Sequence, residues 1–233
     1  MAALDRSLLA GLPIFAERSG EELDLILQGA RSSRHEKNSE IFAQDQEATS
    51  FFLLLSGHIR VVRTTPDGEQ IIARYINEGE LFGIAIAMGR TTYPASAVAA
   101  VDCVVLTWAN AEWPKLQKGV PAFGAAAYQT IGTRLQETQA RVMEMSTEQV
   151  EQRIAHALLR LVKQAGRKTE GGIEIDFPIS RQDIAQMTGT TLHTVSRLLS
   201  AWEAENIVQS GRRKVIVSDP HRLMLIAERR SKP

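Results

Sequence analysis

From Pro121 onward, Gly124, Tyr128, Ile131, Leu135, Thr138, Val142 and Met145 succeed one another at steps of 4, 3, 4, 3, 4 and 3 residues. That spacing draws one stripe along a helix of about three heptads and excludes a strand, whose successive side chains face opposite sides. Arg134, Glu137, Arg141 and Glu144 flank the stripe and keep it narrow, so it reads as a seam between two copies of the chain. A helix laid on its own domain is the plainer alternative.

Upstream the texture differs. Residues 19–30 place Leu23, Ile26 and Leu27 on one helical face behind Ser19 and Glu22, a capping-box pair. From about Ser39 to Trp108 come short β-rich runs, EIFAQ, SFFLLLSG, HIRVVRT, EQIIARYI and ASAVAAVDCVVLTW, broken by Gly and Asp. Thr65-Pro66-Asp67-Gly68 predicts a tight hairpin, and Gly57, Gly79 and Gly83 mark further turns. Several short strands in succession argue for a sandwich or barrel.

The chain of 233 residues has room for two domains. Its apolar runs are too short to span a bilayer, and Met1–Leu12 carries Asp5 and Arg6 in place of an apolar core, so it is not read as a secretory signal. A cytoplasmic protein with no membrane partner is expected. Cys103, the single cysteine, reads as a small buried hydrophobe and excludes a cysteine-ligated iron-sulfur cluster within one chain. The net charge of zero hides an asymmetry: 13 basic against 17 acidic residues in 1–147, but 14 against 10 in 148–233. The C-terminal part is the one suited to a polyanion.

Ser146-Thr147 is read as a break in the long helix, with Thr147 capping a new helix that runs to about Gln164, and Gly166–Gly172 as a polar connector. The expected division is a sensor domain over 1–119, a dimerisation helix over 120–146 and a DNA-binding domain over 147–233, with Ser146 and Thr147 as hinge candidates.

Residues 180–199, SRQDIAQMTGTTLHTVSRLL, fit a helix-turn-helix. Ser180 starts the first helix, Ile184 points inward, Ala185 allows close approach, and Gly189 supplies the positive φ of the turn. Val195 and Leu198 are the expected core of the second helix. Thr188 and Thr190 stand where such motifs often carry apolar residues. An ordinary helical hairpin needs the same small residue and glycine, but here a wing follows: Ile207-Val208, the turn Ser210–Arg213, and a strand from Lys214 to Ser218. A reading helix beside a basic wing is a DNA-binding arrangement. Thr191, Leu192, His193, Ser196 and Arg197 occupy the half of the helix that reaches base edges; Arg197 suits guanine O6 and N7, and Leu192 a thymine methyl. Ser180, Arg181, Gln182 and Thr194 suit phosphates, as do Arg212, Arg213 and Lys214 of the wing.

With SFFLLLSGHIRVVRTTPDGEQ and EGELFG in the strand-rich part, the heptad helix, and ISRQDIAQMTGTTLHTVSRLLSAWEAENIV, the chain resembles the CRP/FNR superfamily of bacterial regulators over nearly its whole length. The resemblance implies an α+β protein: an N-terminal cyclic-nucleotide-binding-type β-roll, a long dimerisation helix and a C-terminal winged helix-turn-helix. It also implies a homodimer on a palindromic operator in double-stranded DNA, contact with RNA polymerase, and activation. A regulatory module answering another small ligand, or acting through its expression level alone, is the alternative.

Departures from the family pattern narrow the signal. Members that bind cyclic AMP have a glutamate after the glycine matching Gly83 and an Arg-Ser pair for the phosphate; here those places read Ile84-Ala85 and Tyr93-Pro94, and Arg90 is the one cation between Ile84 and Val98. Cyclic AMP is therefore not the expected ligand. The oxygen-sensing branch needs a cysteine cluster that is absent. The LHTVSR helix, with His193 where many members have glutamate, and the YPASAVA stretch from Tyr93 are similar to the nitrogen-oxide-responsive NnrR/Dnr branch, which controls denitrification genes. That likeness implies nitric oxide sensing with haem as a candidate cofactor, for which His35, His58 and Met88 are the candidate ligands. His58 is expected to face solvent, His35 to lie in a charged turn, and Met88 to serve equally well as core filling. No nucleophile elbow, paired zinc ligands, Walker loop or GxGxxG after a strand occurs, so an enzyme is not expected.

Overall fold

The computed structural model describes residues 5–15 and 18–228, without the side chains of Leu8, Ala10 and Pro13. These residues form two compact units, one made of residues up to 68 with 73–136, the other of 69–72 with residues from 137 onward.

The first unit opens with α1 (Ser7–Ala10) and α2 (Gly20–Gln28). The Ser19 hydroxyl accepts from Glu22 N and the Glu22 carboxylate from Ser19 N, the reciprocal cap the sequence predicts. Strands β1 (Arg31–His35), β2 (Glu40–Phe42), β3 (Ser50–Ser56), β4 (Ile59–Thr64), β5 (Gln70–Ile76), β6 (Leu81–Phe82), β7 (Ser96–Ala99) and β8 (Cys103–Ala109) form two four-stranded sheets, ordered β1-β8-β3-β6 and β2-β7-β4-β5. The short helix α3 (Trp113–Gly119) and the long helix α4 (Pro121–Thr147) follow.

The unbroken apolar run of β3 has a physical reason: the strand is buried on both faces. Phe51 and Leu53 join Leu106 and Trp108 of β8 in a core shared with α2, α3 and the start of α4, through Ile26, Trp113, Leu116, Phe123 and Ala127. Phe52 and Leu54 point the other way, into a core with Phe42, Ile76, Phe82, Tyr93 and Cys103. Trp108 ties the first core together, stacking on Phe51 and donating its indole N–H to Ile26 O at 2.7 Å. Cys103 is buried as expected, and burial pushes its thiol pKa up.

The hairpin between β4 and β5 closes at Gly68, whose N–H donates to Thr65 O and whose φ is +83°. Strand β1 is a strand the sequence reading misses. Its residues RSSRH carry no apolar alternation, because it lies at the sheet edge and is held by backbone pairing to β8. His35 ends that strand instead of sitting in a turn.

Gly83 combines a left-handed backbone with a close approach: its φ is +62°, and a Cβ there would lie 2.6 Å from the Phe52 ring. Gly83→Ala is therefore expected to lower stability by about 3 kcal/mol, combining left-handed strain with overpacking; a urea midpoint equal to that of the parent would show that the ring stack yields.

The second unit contains the end of α4, then α5 (Val150–Ala165), β9 (Gly166–Thr169), β10 (Gly172–Ile175), α6 (Arg181–Thr188), α7 (Leu192–Ala204), β11 (Val208–Ser210), β12 (Val215–Val217) and α8 (Pro220–Ala227). The expected break at Ser146-Thr147 is corrected. Both residues are helical, with hydroxyls bonded back to Val142 O and Met143 O, and the cap of α5 is Gln149, in a box with Gln152. The expected connector over Gly166–Gly172 is instead the β9–β10 hairpin, which extends the wing into a sheet ordered β11-β12-β10-β9.

The end of α4 is gripped within this unit. Glu144 pairs with Arg160 of α5, and the Met145 methyl lies 2.8 Å from where a Cβ on Gly189 would stand. Ser146 and Thr147 therefore make a poor hinge.

Candidate nucleic-acid interface

Helix α6 starts at Ser180, which accepts from Asp183 N at 3.1 Å while Asp183 Oδ2 accepts from Ser180 N at 2.7 Å. Asp183 thus takes both the amide and the hydroxyl of Ser180, whose role is a cap. Ile184 and Ala185 are buried, and Gly189 takes the left-handed conformation at φ +61° and ψ +45°. The unusual Thr188 is buried with its hydroxyl satisfied by Ile184 O at 2.7 Å, and its carbonyl accepts from Arg153 Nε.

Helix α7 is capped by Thr191, which accepts from Thr194 N. Its inner face is Val195, Leu199 and Trp202. Leu199 therefore replaces Leu198, which is half-buried, as the core residue, since the stripe follows steps of four and three. The opposite face presents His193 and Arg197, both exposed, and Leu192 at the N-terminal end of the helix is 47% exposed. Ser196 and Thr194 are half-buried and Gln182 is exposed.

At the wing tip Arg212 and Arg213 are exposed, and the tip closes through Gly211 N donating to Lys214 O. Lys214 differs from the other two cations: its ammonium pairs with Glu174 of β10 at 3.0 Å, and Glu174 also faces Arg167 of β9 at 3.6 Å. The tip approaches the start of α6 through Ile179 N, which donates to Arg213 O. Arg181 is half-buried and donates to Ser210 Oγ of β11 at 2.9 Å.

Along α4, Tyr128, Leu135, Val142 and Met145 are 50%, 58%, 59% and 48% exposed, whereas Gly124 is buried and Ile131 is half-buried against the first unit's own core. Thr138 is exposed. The upper part of the seam is thus shared with the domain it leaves. Arg134, one of the flanking charges, donates to Leu81 O in the same unit.

In the sheet domain, the positions that differ from the cyclic-AMP pattern are part of the core. Ile84 and Ala85 are buried, and the buried Tyr93 stacks on Phe42 with ring centroids 3.9 Å apart. Its hydroxyl donates to Ser50 O at 2.7 Å, and burial holds the phenol pKa above its ordinary value. Arg90 is exposed.

The haem candidates fare no better. His35 and His58 are half-buried, with ring nitrogens 2.9 Å from Ser33 Oγ and 3.2 Å from Asn77 Oδ1. Met88 is 42% exposed in a short 3-10 turn, which corrects the expectation of core filling. Two of the three thus have a polar partner on one ring nitrogen and the third is exposed, a poor fit to an axial haem ligand. Among the described residues no group of three His, Cys, Asp or Glu is placed to hold a metal ion, and no helix is long and apolar enough to cross a membrane.

A helix-turn-helix with a polar reading face and a cationic wing defines a DNA-binding protein, here following a β-sandwich domain. The comparisons with known proteins agree. Residues 152–226 match the Crp-like helix-turn-helix domain and residues 33–118 the cyclic nucleotide-binding domain. The cyclic AMP receptor protein of Thermus thermophilus is 29% identical over 203 residues, 87% of this chain and 91% of that protein. The nitrogen fixation regulation protein FixK of Azorhizobium caulinodans is 27% identical over 185 residues, 78% of this chain and 73% of that protein. The structure of FixK2 from Bradyrhizobium japonicum shares the fold with a TM-score of 0.76 at 22% identity, over 87% of this chain and 99% of that one. The chain is thus a DNA-binding transcription regulator of the CRP/FNR type, a cyclic nucleotide-binding domain joined to a Crp-like helix-turn-helix domain.

Proposed function

We propose that the protein works as a homodimer that lays two α7 helices in adjacent major grooves of a palindromic operator, in contact with RNA polymerase and as an activator. The observation that carries this reading is the surface of α7: Val195, Leu199 and Trp202 anchor it while His193 and Arg197 stand exposed on the opposite face and Leu192 at its N-terminal end. Arg197 suits a guanine edge, His193 donates where a glutamate would accept from cytosine, and Thr191 and Ser196 complete the reading end. Arg181, Gln182, Thr194, Arg212, Arg213 and Lys214 set register on phosphates, with Ser180 capping the helix that carries the first of them. Tyr128, Ile131, Leu135, Thr138, Val142 and Met145 make the dimer seam, and the half-site centres lie about 34 Å apart.

Arg197→Ala is expected to cost about 1–3 kcal/mol on a duplex selected by the parent from a random pool, and to relax the preference at one position of each half-site. An unchanged selected sequence and unchanged affinity would remove Arg197 from the reading surface.

The signal we infer is a small molecule other than cyclic AMP. The buried Ile84, Ala85 and Tyr93 support this, since a cyclic phosphate beside them would be desolvated without a cation. Control of nitrogen-oxide genes is the specific reading, supported by the LHTVSR helix and the YPASAVA stretch. Its test is DNA binding by anaerobically purified protein with and without nitric oxide, with haem titrated in parallel. A nitric-oxide-dependent change in affinity supports the reading; full binding that ignores nitric oxide leaves a regulator set by another ligand or by its expression level. A stoichiometric Soret band would overturn the poor fit of His35, His58 and Met88 to haem.

A further inference from the structure

Glu203 is an acid in the last turn of the reading helix, on a domain that must approach a polyanion. Its side chain is half-buried, and Oε1 accepts from Ser210 N at 2.7 Å and from Ser210 Oγ at 2.6 Å. The same Ser210 oxygen accepts from Arg181 Nη2 at 2.9 Å. One carboxylate oxygen therefore connects the end of α7, the first strand of the wing and the first residue of α6. A second link, Ile179 N to Arg213 O, fixes the other side of the wing to the start of α6.

We propose that Glu203 is a positioning residue for DNA binding, which through Ser210 sets the guanidinium of Arg181 and the angle at which the wing presents Arg212 and Arg213. The proposal rests on the reading of Arg181 and the wing as phosphate contacts. A guanidinium has five N–H donors in a fixed fork, so one bond to Ser210 orients the group and leaves the others for a phosphate. An arginine already held in place loses less side-chain freedom when DNA arrives. The carboxylate is itself occupied by two donors, so its charge is turned inward to the wing.

Electrostatics and positioning make opposite demands, which makes the idea testable. Removing a negative charge from a DNA-binding face tightens binding if charge alone matters; removing the positioning group loosens it. The measurement is fluorescence anisotropy of the full chain across a salt series, on a mixed-sequence duplex and on the duplex selected by the parent. Glu203→Ala is expected to weaken both by about tenfold and to lower the slope of log affinity against log salt by about 1. Glu203→Gln, which keeps an acceptor oxygen at the same place, restores most of the loss. Ser210→Ala reproduces it with little risk to folding, checked by its thermal midpoint. Glu203→Ala combined with Arg181→Ala is no weaker than Arg181→Ala alone.

Tighter or unchanged binding by both Glu203→Ala and Ser210→Ala, or losses that add to that of Arg181→Ala, overturn the proposal. If Arg181→Ala itself leaves affinity and salt slope unchanged, the phosphate assignment falls and the proposal with it. If Arg181→Ala weakens binding while the other two variants do not, the positioning role alone is wrong.

Discussion

Leu135→Glu is expected to give a monomer by light scattering and to cut affinity for a two-half-site operator by at least about a hundredfold, because two linked half-sites multiply rather than add. Leu135 lies in the middle of the exposed part of the stripe, between Tyr128 and Val142, where the helix has left the first core and offers apolar surface. A carboxylate in a seam has no partner there and must be desolvated, or the seam must open. Because the side chain is 58% exposed in the single chain, the substitution leaves the fold of each chain unharmed. Circular dichroism of the variant should match the parent, and a dimer that persists at micromolar concentration would place the interface elsewhere.

Trp202→Ala is expected to act on the other unit. The indole is buried on the inner face of α7, and its N–H reaches Glu151 Oε1 of α5 at 3.3 Å. Truncating a buried tryptophan costs about 3–5 kcal/mol, against a total of about 5–15 for an ordinary domain. The winged domain should therefore melt well below the parent and lose operator binding. The other two tryptophans, Trp108 and Trp113, belong to the first core and report on the sheet domain separately, so their near-ultraviolet signal is expected to survive. Loss of that signal at the same temperature would mean that the units unfold as one.

Local rules with a single outcome were legible in the sequence. The caps at Ser19 and Ser180, the left-handed Gly189 and the long α4 each follow from residues within a few positions of one another. What escaped depended on distant partners. The edge strand β1 and the β9–β10 hairpin are polar segments, made strands by backbone bonds to β8 and β12. The start of α5 was misplaced because Thr147 is a good cap in isolation, yet the helix before it continues through its own back-bonded hydroxyl. The choice of Leu199 over Leu198 is a one-residue phase error, decided by where Trp202 packs. At the interface the residue types were readable but their partners were not: neither the Glu174 bridge to Lys214 nor the chain from Glu203 through Ser210 to Arg181 has a sequence signature.

The wing is usually pictured as a two-stranded ribbon, which is marginal by itself. Here β9 and β10 widen it to four strands, and Val215 and Val217 fasten it from beneath. Scaffold and tip are thus different residues: support comes from buried valines and backbone pairing, while the tip presents the exposed Arg212 and Arg213. Descendants of this gene can therefore exchange the tip for other side chains and explore new operators, while the beams that hold it need not change.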